Sequence, residues 1–290
     1  QQFDNISHLE TIQSFVNSGV WSPFASSLYS SASDAAINPL PGGGFYPTAW
    51  YSVAALAVTS MGVTTAFAEN VANFVFVALV LPAGSFAFMR VLFDDRRAVI
   101  PFGAFCTLLF AGFPWMIILF GPLYPNLSAF CLVPAAAATF LLMFQFGCSR
   151  KQRVGLAVVF VFALMSLALA QPNAVFTLAV LLAPFCVWQV SRIPLSMKCK
   201  GKSCVAMRIL LGAIALAVIY AIWMACYNAP FLASVVQHTW LPYADRLEAF
   251  EDALVVGFMA EGLDLSSSAL LGRYGIVGIF GCRFHMRLRA

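Results

Sequence analysis

The residues near the start of the chain that could do chemistry are an acid and a histidine. Asp4 and His8 are four positions apart in DNISHLETIQSFVNSG, so on a helix they share one face. A carboxylate beside an imidazole suits general-base catalysis, with the imidazole binding a phosphate or orienting the acid. The alternative is structural, with Asp4 capping the helix and His8 at the surface. The spacing leaves both interpretations open.

Two further sets of polar and aromatic residues are candidates for substrate binding. Tyr46, Trp50 and Tyr51 stand in FYPTAWY, directly after a Pro/Gly-rich loop. His238 and Arg246 stand in HTWLPYADR, far along the chain. A fold that brings these sets to Asp4 and His8 would form a polar cavity walled by aromatic rings, which is typical of ligand sites.

Asp4 and His8 lie in a segment with helical periodicity. Gly19 is a plausible stop and Asp4 or Asn5 a plausible N-cap. The apolar positions recur at intervals of three and four, which predicts an amphipathic helix with one apolar face. These positions are Ile6, Leu9, Ile12, Phe15 and Val16.

The composition places the whole chain in a membrane. Hydrophobic residues make up 61% and charged residues 10% of the 290 positions, whereas soluble domains carry about 25% charged residues. The net charge of +4 comes from short basic clusters between apolar runs, so no nucleic acid is expected as a partner. Membrane lipid is the expected partner. The missing initiator Met predicts an internal fragment, with the C-terminus also incomplete.

Six apolar runs approach the length of about 20 residues that a membrane-spanning helix needs. They predict an all-α, polytopic fold with a six-span bundle over residues 71–227, followed by a weak seventh run over 270–282. The six runs are 71–93, 98–120, 131–148, 154–171, 173–190 and 209–227.

The basic residues predict the topology. Residues 1–89 contain no Lys or Arg, and the basic clusters around positions 90–97, 150–153, 192–208 and 283–289 are separated by even numbers of spans. The positive-inside rule makes those clusters cytoplasmic. Residues 1–70 and the acidic segment 228–269 are then external loops of a multi-pass cell-membrane protein, and 270–290 form a partial final span with a basic cytoplasmic end.

The segment 46–68 is apolar, yet it conflicts with that topology if it spans. A full span there would place residues 1–45 in the cytoplasm, although they hold acids and no base. The charges favour a juxtamembrane or re-entrant helix on the outer face, with Tyr46, Trp50 and Tyr51 at the level of the headgroups. An ordinary span with a misleading charge count is the alternative.

The order of these features resembles a family of multi-pass actinobacterial membrane proteins of unassigned function, distantly similar to GT-C glycosyltransferases. An Asp-x-x-x-His helix, a Gly/Pro-rich loop, FYPTAW followed by VAAL, a series of spans and HTWLPYADRLEAFEDAL carry the resemblance. In that family's pattern a His often follows the Trp, and Tyr51 stands there in this chain.

The resemblance implies inverting transfer of a hexosyl or pentosyl group from a polyprenyl-phosphate donor at the outer membrane face. Asp4 would deprotonate the acceptor or bind a divalent metal, Mg or Mn, although no cofactor is certain. His8 or Arg246 would offset the charge of the departing phosphate. Two alternatives remain open, a transporter or flippase of lipid-linked sugars and a non-catalytic envelope-assembly protein.

Overall fold

The computed structural model describes residues 2–24, 45–93, 99–108, 111–119, 122–145, 147–196 and 201–229. These residues form helices and no strand, which confirms the predicted all-α membrane fold. The helices are α1 (Gln2–Ser18), α2 (Ala49–Met61), α3 (Thr65–Phe74), α4 (Leu81–Leu92), α5 (Val99–Cys106), α6 (Met116–Leu119), α7 (Tyr124–Leu142), α8 (Arg150–Ala170), α9 (Pro172–Ser191), α10 (Ile193–Ser196) and α11 (Lys202–Tyr227).

Five helices are long and apolar enough to cross a membrane among the described residues. The first is continuous from α3 through the π-helical segment Val75–Val80 to the end of α4, and the others are α7, α8, α9 with its extension to Leu195, and α11. They correspond to five of the six predicted runs. The chain is therefore a multi-pass helical membrane protein whose apolar helix faces contact lipid.

The sixth predicted run, 98–120, does not form one continuous helix. Its described parts are α5, the π-helical turn Ala111–Trp115 and the four-residue α6. Phe113 has φ −145° and ψ 132°, an extended conformation that interrupts the helix. Pro114, which follows it through a cis peptide bond, restricts the preceding residue to such conformations. A hydropathy profile alone does not predict this interruption of the helix.

Helix α1 has the predicted position but not the predicted buried face. It ends before Gly19, whose φ of +67° suits a residue without a β-carbon. Ile12 and Phe15 are buried as expected, but Ile6 is 51% exposed and His8 is buried. The polar His8 tolerates burial because both of its ring nitrogens find partners.

The segment 46–68 is not one helix: it contains all of α2 and the start of α3. Gly62, with φ +67°, terminates α2, and its N–H bonds the Val58 carbonyl. The Thr64 side chain then accepts a bond from the Phe67 N–H and caps α3. Helix α2 has 13 residues, fewer than the roughly 20 that a span needs, while Thr65 already belongs to the first long helix.

The two faces of α2 differ in their surroundings. Trp50 and Tyr51 are fully buried on one side, with α1 and α3 as the main neighbours of the helix. Val53 and Leu56 are 38% and 55% exposed on the other. A short helix with an exposed apolar side fits a position along the membrane surface, so the predicted juxtamembrane placement remains a prediction consistent with the helix length.

Helices α4 and α7 approach each other closely at Gly84. A β-carbon at Gly84 would lie 3.2 Å from the backbone nitrogen of Ala135 and 3.3 Å from its β-carbon. Small residues at such a crossing let two membrane helices pack through extensive van der Waals contact. This contact fixes the first long helix against α7, and both helices contribute to the site described below.

The described residues divide into two compact units, one up to Ala174 and one from Val175 onward. In the second unit, α9 and α11 face each other through Phe176 and Trp223, whose rings lie 4.9 Å apart. Arg192 stacks on Trp188 at 4.7 Å, and Arg208 donates to the Ser191 carbonyl. An apolar groove of about 540 Å³ lies between these two helices.

Candidate functional site

His8 is the centre of a buried polar and aromatic cluster in the first unit. Its Nδ1 lies 2.8 Å from the Tyr51 hydroxyl, and its Nε2 donates to the backbone carbonyl of Pro122. These bonds tie α1 to α2 and to the residues that lead into α7. The orientation of the imidazole is therefore determined from both sides.

The bond to a carbonyl determines which nitrogen carries the proton in the neutral imidazole. A carbonyl only accepts, so Nε2 of His8 is protonated and Nδ1 accepts from the Tyr51 hydroxyl. The Tyr46 hydroxyl, 3.0 Å away, can in turn donate to the Tyr51 oxygen. The result is a directional chain from Tyr46 through Tyr51 to His8.

Tyr46 occupies the outer end of this chain. Burial raises the pKa of its phenol above the ordinary value of 10.0, and the bond with Tyr51 lowers it in part. The Tyr46 N–H donates to the Pro23 carbonyl at 2.8 Å, and the Trp21 indole donates to the Phe15 carbonyl at 2.9 Å. The stretch after α1 and the stretch before α2 are thereby joined.

Aromatic rings surround the imidazole. The centroids of Trp50, Tyr51 and Tyr124 lie 5.5, 5.6 and 5.3 Å from that of His8. Trp50 also packs on Tyr124 at 5.2 Å. Such separations are typical of favourable aromatic pairs. The rings exclude water from the hydrogen bonds of His8, which strengthens those bonds.

Helix α3 contributes a second polar pair to the same cluster. The Trp50 indole donates to Asn73 Oδ1 at 3.1 Å, and the carboxyl of Glu69 interacts with the hydroxyl of Tyr124. Glu69 is 4% and Asn73 7% exposed. Because Glu69 and Asn73 are one turn apart on α3, the Trp50 and Tyr124 rings connect both of them to His8.

The structure brings four of the seven predicted site residues together: His8, Tyr46, Trp50 and Tyr51. Trp50 and Tyr51 are 0% and 1% exposed, so in this conformation they pack against protein rather than line an open cavity. Their predicted role in substrate binding, like the catalytic role of His8, stays a prediction.

The remaining predicted residues lie where side chains are not described. Asp4 belongs to the first turns of α1, one turn before His8, and its side chain lies outside the described part. His238 and Arg246 also lie outside it. Within the described residues, no three His, Cys, Asp or Glu side chains come together as metal ligands.

Four contributors to the cluster were not predicted from the sequence: the side chains of Glu69, Asn73 and Tyr124 and the carbonyl of Pro122. Glu69 and Asn73 had one readable signal, since two polar residues four apart at the start of an apolar run share a helix face. A backbone carbonyl such as that of Pro122 leaves no signature in residue types.

Comparison with known proteins gives a family but no activity. A family model described as "Family of unknown function (DUF6541)" matches residues 1–289, so the chain belongs to that family. No curated protein matches the chain significantly, and no solved structure does.

Proposed function

We propose that this member of the family is a GT-C-like glycosyltransferase that uses a polyprenyl-phosphate sugar donor at the outer membrane face. One observation carries the proposal. Helices α1 and α2 pack against the start of the first long helix, and His8 bonds the backbone just before α7. An acid on α1 is thus held near the ends of two spans, where a lipid phosphate would lie.

The proposed reaction is a single displacement in which Asp4 is the base. Asp4 takes the proton of an acceptor hydroxyl, the hydroxyl oxygen attacks the anomeric carbon, and the bond from that carbon to the phosphate oxygen breaks. The polyprenyl phosphate leaves with the bonding electrons. Configuration at the anomeric carbon is inverted because attack and departure occur on opposite faces.

His8 supports this reaction by positioning α1. Its two nitrogens are engaged by Tyr51 and Pro122, which fixes the helical turn that precedes it and hence the backbone of Asp4. The charge of the departing phosphate is then offset by a cation such as Arg246 on the predicted external loop, rather than by the imidazole.

The test is the Asp4→Asn variant of the full-length protein, compared with Glu10→Gln, which neutralises another acid of α1. Transfer of labelled sugar from polyprenyl phosphate in membranes should fall about 100-fold or more for Asp4→Asn and stay near wild type for Glu10→Gln. Unchanged transfer and unchanged lipid-linked sugar profiles in Asp4→Asn would refute the proposal.

A transporter or flippase of lipid-linked sugars is the second candidate, and the break between α5 and α6 favours it. Interrupted helices often form the substrate paths of transporters, and Phe113 interrupts an apolar helical stretch here. This function predicts that Asp4→Asn is tolerated. It also predicts that the protein moves a fluorescent lipid-linked sugar from one leaflet of a proteoliposome bilayer to the other, which a transferase would not do.

A further inference from the structure

Glu69 is a buried acid with no lysine or arginine on the described helices that pack against it. It is 4% exposed, and its Oε2 has no hydrogen-bond partner among the described residues. The Tyr124 hydroxyl is a neighbour of the carboxyl. Burying an ionised carboxylate without a partner costs several kcal/mol, so a buried acid of this kind needs an explanation.

The helices packed against α3 supply no lysine or arginine. Its described neighbours are α1, α2, α7 and the π-helical segment Val75–Val80, and none of them contains either residue. The described titratable side chains on these neighbours are the imidazole of His8, the carboxyl of Glu10, the phenols of Tyr51 and Tyr124, and the thiol of Cys131.

His8 is the single possible cation among those groups. Its Nδ1 is occupied by Tyr51 and its Nε2 by the Pro122 carbonyl, so neither hydrogen bond that fixes the ring goes to Glu69. The described protein groups therefore leave the carboxylate charge to be balanced by something small enough to enter a packed cluster.

The position of Glu69 fits exchange with the membrane surface. The midpoint of the helix Thr65–Leu92 lies roughly 14 Å from Glu69 at 1.5 Å per residue. The hydrocarbon core extends about 15 Å from its centre, so a helix centred in the membrane places Glu69 at the edge of that core. Acids inside membrane helices often belong to ion or proton sites.

We propose that Glu69 is the binding site for a small monovalent cation, a proton or a sodium ion. The Tyr124 hydroxyl, which interacts with the carboxyl, and Oδ1 of Asn73, one turn along α3, would share the ion with the carboxylate. Binding neutralises the buried charge and stabilises the junction of α1, α2, α3 and α7. This proposal does not depend on the glycosyltransferase function.

The experiment measures the melting temperature of the full-length protein in detergent or nanodiscs. One arm varies pH from 5 to 9 in choline chloride, and the other replaces choline with sodium at fixed pH. A stabilising ion should raise the melting temperature by several degrees at about a hundredfold excess over its Kd. Proton binding predicts stabilisation that fades as pH rises, whereas sodium binding predicts a rise in the second arm.

Glu69→Gln is the decisive variant, because glutamine keeps the shape and removes the charge. It should lose the dependence on the bound ion, while Glu10→Gln keeps it. The proposal is overturned if wild type responds to neither ion, or if Glu69→Gln responds as wild type does.

A second measurement covers the case in which Glu69→Gln does not fold. A carbodiimide that modifies protonated buried carboxyls is applied to wild-type protein, and the labelled residue is located by mass spectrometry. Labelling at Glu69 that sodium or high pH prevents supports the site and distinguishes the two ions. Failure to label Glu69 at any pH overturns it.

Discussion

The cluster around His8 and the α9–α11 pair are both built from apolar membrane helices, yet they use similar side chains in different ways. Trp50 is fully buried and donates to Asn73. Trp223 is partly exposed, and its ring forms an edge-on pair with that of Phe176. In the first region aromatic rings enclose polar groups, whereas in the second they line an apolar groove.

Hydropathy does not separate these regions, but burial does. The mean hydropathy of α7 is 1.6 and that of α11 is 2.5, so both qualify as spans. Yet 44% of the apolar 18-residue stretch of α7 is buried in the described structure, whereas only 6% of the corresponding stretch of α11 is buried. Among the described residues, the helices of the His8 cluster combine apolar surfaces with buried hydrogen bonds, whereas α11 is the most apolar helix and the least buried.

The largest expected effect on stability is that of replacing Trp50, and Trp223 is the matched comparison. Trp50→Ala should lower the free energy of unfolding by about 3–5 kcal/mol, because it leaves a cavity among packed rings. Trp223→Ala should cost about 0.5–1.5 kcal/mol, the range of one aromatic pair. Thermal unfolding of the purified variants measures both, and equal losses would contradict the contrast between the two regions.

A second contrast compares two glycines at helix contacts. Gly84→Leu should destabilise the protein by about 1–3 kcal/mol or more, because its side chain would meet the α7 backbone at Ala135. At Gly212 a β-carbon would be 3.8 Å from Val187 and 3.9 Å from Ser191, ordinary contact distances. Gly212→Leu should therefore be tolerated, as judged by melting temperature and elution as a single species.

Much of the fold was predictable from the sequence because lipid imposes strong rules. Continuous apolar runs predicted six spans, and five of them correspond to described helices that are long and apolar enough to cross a membrane. Hydropathy did not predict the break at Phe113, although Gly112-Phe113-Pro114 is a sequence at which a transporter helix would be expected to break. The end of α2 was readable in principle, because Gly62 and Thr64 are a helix stop and a helix N-cap.

The candidate site was predictable only in part. Aromatic and ionisable residue types identified His8, Trp50 and Tyr51 as candidate site residues, and the three side chains are in contact in the structure. Their partners depend on contacts across long stretches of chain, such as Tyr124 with Glu69. No periodicity links residues so far apart in sequence. The residues that pack against His8 could therefore be identified only from the structure.

A smaller effect is expected from single hydroxyl groups. Tyr51→Phe leaves Nδ1 of His8 without its donor inside the cluster, and the loss in stability should be about 1–2 kcal/mol. Tyr220, on α11, is 64% exposed, so Tyr220→Phe should be neutral. Chemical denaturation measures the difference, and a neutral Tyr51→Phe would show that the bond to His8 is dispensable.

The smallest effect is a pH dependence at Tyr46. Its folded-state pKa is raised above 10.0 by burial, with the Tyr51 bond opposing this in part. The unfolded chain therefore loses this phenolic proton at lower pH than the folded protein does. The contribution of the Tyr46 phenol to the free energy of unfolding is fully present below pH 10. It declines as pH rises from there toward the folded-state pKa.

The Tyr46→Phe variant isolates this contribution from the other tyrosines. Melting temperatures of wild type and variant, measured from pH 9 to 11.5, should converge as pH rises, because wild type loses stability that the variant never had. Loss of the Tyr46 proton also removes the donor to Tyr51, so the directional chain to His8 breaks at its outer end. A constant difference across this range would mean that Tyr46 titrates as a solvent-exposed phenol and that the chain ends at Tyr51.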